Sequence, residues 1–222
     1  MADKLFNTAI SFSSDPRIAA YEAVTRAIAF SGKRPKLGLL FCSRKKYGER
    51  LPELVKAANE IFKQSNPHCE WIGCANENID GCMAFVLSDK RISPSIGLGS
   101  ATHRNPLLSG KRAAQNAISH ANLSEAITAY VSAAAIGNKM PKLEQLQPYL
   151  AMAFFPENSD QKAIFDGLRS SVAPTVPILK FTGYLFSNGV ILNNTTLFLL
   201  QAFEEPGDWH YQNLETFSRI LD

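Results

Sequence analysis

One stretch of this chain admits few folds. Leu37 to Phe41 is a short, continuous apolar run of the kind shown by a strand covered on both faces. A polar segment, Ser43 to Gly48, follows it, and then Leu51, Leu54, Val55, Ala58, Ile61 and Phe62 recur at helical spacing. Cys69 to Gly73 reads as the next strand. A strand, an amphipathic helix and a second strand make a β-α unit, whose helix buries its apolar stripe against a sheet. Asp80-Gly81 then supplies turn chemistry, Cys82 to Leu87 a further strand, Ser88 to Lys90 a turn, and Ile92 to Leu98 another strand.

The flanking sequence extends this pattern. Leu5 to Phe12 predicts a first strand, with Asp15 as the N-cap and Pro16 at the first position of a helix. Ile18, Tyr21, Val24 and Ile28 give that helix one apolar face, and Ser31-Gly32 ends it. From 109 to 138 the sequence is alanine-rich and predicts two helices, broken near Asn122-Leu123-Ser124, with Ser124 capping the second. A proline-marked connection runs from Pro141 to Pro148.

The earlier order then returns. Leu150 to Phe155 reads as a strand, Ile164, Phe165, Leu168 and Val172 share one helix face, and Ile178 to Thr182, Val190 to Leu192 and Thr196 to Ala202 read as strands. Ser187-Asn188-Gly189 and Asn193-Asn194 supply turns. The second helix is about one turn of 3.6 residues shorter than the first. The reading is an α/β chain with mixed sheets and flanking helices, built by duplication of a β-α-β-β-β unit. Pseudo-repeats are expected over 37–98 and 150–202, with the helical insert 109–138 between them. A chain of 222 residues, 45% hydrophobic and 19% charged, can bury a sizeable core as one large domain or two small ones, and intrinsic disorder is excluded. No apolar run reaches the roughly 18 residues of a membrane span, and no secretory signal opens the chain, so the cytoplasm is the expected compartment.

Charge is unevenly spread. Residues 1 to 112 hold 17 Lys/Arg and 10 Asp/Glu, whereas residues 113 to 222 hold 6 and 10. Basic residues cluster at Lys33-Arg34-Lys36, Arg44-Lys45-Lys46 with Arg50, Lys90-Arg91 and Lys111-Arg112. Such clusters draw anions or are simply solvated loops. No nucleic-acid motif or interleaved aromatic run accompanies them, so no nucleic-acid partner is expected.

Cys42 and Ser43 fall at the predicted carboxyl end of a strand just before a helix, where open α/β sheets tend to place ligands. The Arg44-Lys45-Lys46 loop there would stabilise an anion, and would lower the pKa of a nearby thiol. A carboxylate ligand and a reactive thiolate both fit, although Cys42 as a buried small hydrophobe is the favoured reading. Cys69, Cys74 and Cys82 with His68 lack a Cys-x-x-Cys pair, and strand alternation scatters them over different faces, so no metal is expected. The histidines His68, His103, His120 and His210 form no ligand pattern. Gly97-x-Gly99 lacks the third glycine of a dinucleotide fingerprint, and no Gly-x-Ser-x-Gly, Walker A or His-Glu-x-x-His is present. No catalytic residues are assigned.

Leu37 to Ser43, ending Phe41-Cys42-Ser43, followed by a helix and then Trp71-Ile72-Gly73-Cys74, resembles the N-terminal domain of the FIST family. The opening Ser13-Ser14-Asp15-Pro16 with its alanine-rich helix fits, and Phe186-Ser187-Asn188-Gly189-Val190 resembles the family's late hairpin. The resemblance covers nearly the whole chain and implies a single domain over 1–222. It implies a sensory module of signal transduction that binds a small ligand, an amino acid or related anionic metabolite, without catalysis. The expected ligand-binding residues are Cys42, Ser43, Arg44, Lys45, Gly73, Cys74 and Asn76, at and beside the ends of the two predicted strands. Where the family continues with a Ser-Thr-Ala-Gly-like turn, Ala75-Asn76-Glu77-Asn78-Ile79 stands here, so that loop is expected to hold a different ligand or none. Family members often carry a separate output domain, so a signalling output protein is an expected partner. Alternatives are a haem-based nitric oxide sensor, with His103 as the axial ligand, an enzyme using Cys42, and an adaptor that works through its surface; no cofactor is the leading expectation.

Overall fold

The computed structural model describes residues 6–32, 34–88, 92–120, 150–172, 174, 176 and 178–203. The architecture is mixed α/β. The chain divides into two compact units, one of Met1–Ile92 with Phe181–Asn193 and one of Ser93–Lys180 with Asn194–Asp222. These borders cut across the expected repeats, since the strand at 92–98 falls almost wholly in the second unit and residues 181–193 fall in the first.

The first unit runs β1 (Phe6–Ser11), α1 (Pro16–Ser31), β2 (Leu37–Ser43), α2 (Arg44–Tyr47), α3 (Leu51–Ser65), β3 (Glu70–Asn76) and β4 (Cys82–Leu87). It is completed by most of β7 (Ile178–Ser187) and by β8 (Val190–Leu192). The strand order is β1-β4-β2-β3-β7, with β8 on β7. β2 and β3 are parallel, and the β1–β4, β2–β4, β3–β7 and β7–β8 pairs are antiparallel. Every residue of β2 is buried, as its unbroken apolar run predicts. The segment read as a polar loop, 43–48, is instead the single turn α2 followed by a 3₁₀ turn, Gly48–Arg50.

Helix α1 starts as predicted, with the Asp15 carboxylate accepting from the backbone of Arg17 and Ile18, but its inward face differs. Ala19, Ala20, Ala23, Val24 and Ala27 face the core, while Ile18 is 52% and Tyr21 61% exposed. Small alanines let the helix approach the sheet closely, and the Ser11 hydroxyl, donating to Glu22 at 2.7 Å, ties its flank to the end of β1. Close approach has overridden the bulkier apolar stripe. Helix α3 behaves as read, burying Leu51, Leu54, Val55, Ala58 and Phe62.

The second unit holds β5 (Ile92–Ser100), α4 (Pro106–His120), β6 (Leu150–Pro156), α5 (Gln161–Arg169) and β9 (Thr195–Phe203). β9 lies between β6 and β5, antiparallel to β6. Its core gathers Ala113, Ala117, Ala153, Phe155, Ile164, Leu168 and Phe198. Helices α4 and α5 meet backbone to backbone: a Cβ on Gly110 would strike the Ile164 carbonyl, and one on Gly167 the Leu107 carbonyl.

The two units share an order. In each, a later strand lies between the first strand and the strand ahead of the next helix: β1-β4-β2 and β5-β9-β6. A helix follows the first strand in both, so α4, expected as an insert, occupies in its unit the place that α1 occupies in the other. The second alanine-rich helix and the Pro141–Pro148 connection lie outside the described residues. Among the described residues no helix is long and apolar enough to cross a membrane.

Candidate functional site

The carboxyl ends of β2 and β3 bring Ser43 opposite Asn76, in register. Ser43 is buried and caps α2, its hydroxyl accepting from the Lys46 backbone at 3.2 Å, while its own N–H donates to the Gly81 carbonyl at 2.8 Å. The sharp turn that follows sends the next side chains outward. The Arg44 guanidinium lies over the Tyr184 ring, 4.0 Å from its centroid, and donates to the Tyr184 hydroxyl at 2.9 Å. Tyr184 reaches this place because β7 pairs with β3, setting it opposite Ala75. Lys45 is exposed, and Lys46 donates through Nζ to the Phe12 carbonyl at 2.7 Å. Tyr47 turns inward, its hydroxyl donating to the Ser13 carbonyl at 2.9 Å.

Of the residues expected at the site, Arg44, Lys45 and Asn76 gather at the surface of this strand end. Asn76 donates through Nδ2 to the Thr182 carbonyl at 2.8 Å and accepts from the Asn78 backbone at 2.8 Å, so its amide joins β3 to β7 and closes the following turn. Gly73 lies within the sheet, where a Cβ would collide with the Leu40 carbonyl and the Phe186 ring. Cys42 is wholly buried and Cys74 nearly so. Tyr184 escapes the sequence reading because only the nonlocal β3–β7 register brings it beside Arg44.

The thiols are built for packing. Cys42 stands directly opposite Cys82, in one core with Cys69. Cys74 is aligned with Phe41, one residue out of phase with Cys42, and so takes the other face of the sheet. Burial pushes the Cys42 thiol well above its ordinary value and raises Cys69 and Cys82 to about 12, so these thiols are protonated near neutral pH. Among the described residues no group of three or more His, Cys, Asp or Glu side chains is placed to hold a metal ion. His103 is exposed in the turn after β5, with its backbone N–H donating to Asn194 Oδ1 at 2.6 Å. His210 lies outside the described residues.

Two carboxylates near α2 are held in ion pairs. Arg50 joins Asp15 and Glu53, each at 3.1 Å, and Arg17 joins Glu53 at 3.2 Å. Hydrogen bonds from the Ile18 backbone and then from Arg50 hold the Asp15 carboxyl below its ordinary value, and Arg50 does the same for Glu53. Among the described residues no ion pair holds Lys45 or Lys46, so both ammonium groups add to the field that an approaching anion meets. A planar carboxylate could accept from Arg44 and Lys45, with the Tyr184 hydroxyl still able to donate its proton.

The second unit contains a polar cluster without a sequence signature. The hydroxyls of Thr102, Ser109 and Thr196 are buried together, with Thr102 to Ser109 at 2.8 Å, Ser109 to Thr196 at 3.1 Å and Ser109 donating to the Gly99 carbonyl at 2.7 Å. It ties β5, α4 and β9 to one another, each hydroxyl satisfied by the others.

No protein-family model and no curated protein matches the chain. Among solved structures, it is similar to a cyanuric acid hydrolase from A. caulinodans, with 11% identity, a TM-score of 0.44, and coverage of 90% of this chain and 70% of that one. It is also similar to a chorismatase, with 7% identity, a TM-score of 0.47, and coverage of 88% and 74%. At such values no shared activity follows.

Proposed function

We propose that the protein is a non-enzymatic module that binds a small anionic ligand, an amino acid or related carboxylate, at the carboxyl end of β2 and signals its presence as FIST-like sensory domains do. The observation that carries this reading is the Arg44 guanidinium stacked on Tyr184 beside the exposed Lys45, at a parallel strand end of the kind that receives ligands in α/β sheets. The resemblance of Phe41-Cys42-Ser43 and Ile72-Gly73-Cys74 to FIST motifs supports the sensory part. Burial and protonation of Cys42 weigh against a nucleophilic role for it. In this reading Arg44 and Lys45 contact the ligand, Tyr184 orients Arg44, and Ser43, Gly73, Cys74 and Asn76 hold the strand ends that carry them.

Native mass spectrometry of the purified protein, with an absorption spectrum, tests the reading. A co-purifying carboxylate that Arg44→Ala releases is the expected result. A visible Soret band would replace it with the haem reading, and turnover lost on Cys42→Ala with the fold retained would replace it with an enzyme.

A further inference from the structure

Cys42 and Cys82 are placed as a disulfide requires, and no other pair among the four cysteines is. The two stand directly opposite each other in the antiparallel β2–β4 ladder, both wholly buried in the core that the sheet shares with α1 and α3. One step further along, the Ser43 N–H donates to the Gly81 carbonyl at 2.8 Å, which makes Ser43 and Gly81 a hydrogen-bonded pair. Hydrogen-bonded and non-hydrogen-bonded pairs alternate along such a ladder. Cys42 and Cys82 are therefore one of the closer, non-hydrogen-bonded pairs, with Cα atoms about 4.5 Å apart and side chains on the same face. A disulfide spans Cα atoms about 4.4 to 6.8 Å apart. The remaining thiols fail this requirement. Cys74 takes the other face of the sheet, and Cys69 lies beside the opposite end of β2, about 20 Å from Cys42.

We propose that Cys42 and Cys82 are a site of reversible oxidation by low-molecular-weight disulfides such as oxidised glutathione, which bonds the end of β2 to the start of β4. One thiolate attacks the sulfur–sulfur bond of the oxidant, forming a mixed disulfide and releasing one thiol. The second thiolate attacks the protein sulfur of that mixed disulfide, forming the Cys42–Cys82 bond and releasing the second thiol. The chain gives up two electrons and two protons, and the oxidant takes both and becomes two thiols. In the closed sheet neither sulfur is accessible and burial keeps both protonated, so the exchange runs only as fast as the chain opens them to solvent. Once formed, the bond holds Ser43, the cap of α2, beside Gly81, and so fixes the strand end from which Arg44 and Lys45 project.

Intact mass and peptide mapping of the full chain, equilibrated in glutathione buffers of graded redox ratio and quenched with acid, test the proposal. The wild type is expected to lose two hydrogen atoms as the ratio becomes oxidising, with the bond mapped to the peptides that hold Cys42 and Cys82, and to regain them on return to reduced glutathione. Cys69→Ala should oxidise as the wild type does, whereas Cys42→Ala and Cys82→Ala should each form no internal bond. The Ser43 amide hydrogen should exchange at least about tenfold more slowly in the oxidised protein, because the cross-link resists parting of the two strands. Refolding the chain from urea in the same buffers brings the oxidant to the thiols however slowly the folded strands part. A wild type that stays reduced by both routes, that stops at mixed disulfides with glutathione, or whose bond maps to Cys69 or Cys74 would overturn the proposal.

Discussion

The ends of β2 and β6 occupy the same place in the shared strand order, yet they differ in charge. β2 ends in Ser43, which caps α2, and the chain continues Arg44-Lys45-Lys46. β6 ends in Pro156 and continues Glu157-Asn158-Ser159-Asp160, where Asp160 caps α5 by accepting from the Ala163 backbone at 3.0 Å. Each turn needs one side-chain oxygen to receive a helix N–H, and each has it. The three cations after β2 are not demanded by that requirement. The contrast separates what the fold needs from what is available for binding.

The units also differ in how their helices pack, and this contrast gives the largest expected effect. In the first unit α1 and α3 meet through side chains, but in the second α4 and α5 touch at Gly110 and Gly167. Gly167→Val should lower stability by about 3 kcal/mol or more, because a β-branched side chain would have to displace the Leu107 backbone. A urea melt showing under about 1 kcal/mol would mean that the helices can part without cost. Next in size, Ser109→Ala should cost about 1 to 3 kcal/mol by removing the shorter of the two hydroxyl donors to the Gly99 carbonyl, 2.7 Å against 3.4 Å from Thr102, and by opening the hydroxyl cluster, again read from urea melts.

The buried thiols of the first unit give a pH-dependent test. Cys82 has its pKa raised from 9.0 to about 12 in the folded chain. The folded state therefore holds this proton more tightly than the unfolded state. Its contribution is present in full below pH 9 and lost as the pH rises toward 12. Thermal melts should shift downward over that window, and Cys82→Ser should flatten the dependence. At pH 8 the four cysteines should react with a thiol reagent only as fast as the protein unfolds. Rapid labelling of one thiol in the folded protein would show a local opening at that strand.

Much of this fold is legible in residues that interact nearby. The covered strand read over Leu37 to Phe41, the cap at Asp15 and the amphipathic α3 follow from adjacent spacing and turn chemistry, and the structure has each of them, the strand running on to Ser43. The inward face of α1 was not legible, because the distance between helix and sheet decides whether Ile18 or Ala19 turns inward, and that distance is set by packing across the sheet. The same holds for the candidate site. Arg44, Lys45 and Asn76 can be read at strand ends, but Tyr184 joins them only through pairing between residues more than a hundred positions apart. Strand order posed a similar difficulty: the sequence marks Ile92 to Leu98 as a strand without saying that it lies beside β9 rather than beside the strand before it.

The smallest expected effect on stability carries the most information on function. Lys45→Ala with Lys46→Ala should change stability by no more than about 0.5 kcal/mol, since both side chains are exposed. If binding falls while stability holds, the cations serve a ligand.

The measurement that bears most directly on this is isothermal titration of the intact protein with a panel of amino acids and simple di- and tricarboxylates at low and high salt. At least one carboxylate should bind, more weakly as the Debye length falls from about 10 Å at 0.1 M to about 3 Å at 1 M. The same carboxylate should bind at least about tenfold more weakly to Arg44→Ala and to the double lysine variant, and with unchanged affinity to Glu157→Gln at the matching strand end. Binding that ignores salt and all of these substitutions, or a panel in which no carboxylate binds, would contradict the account and leave the basic turn after β2 as a solvated surface.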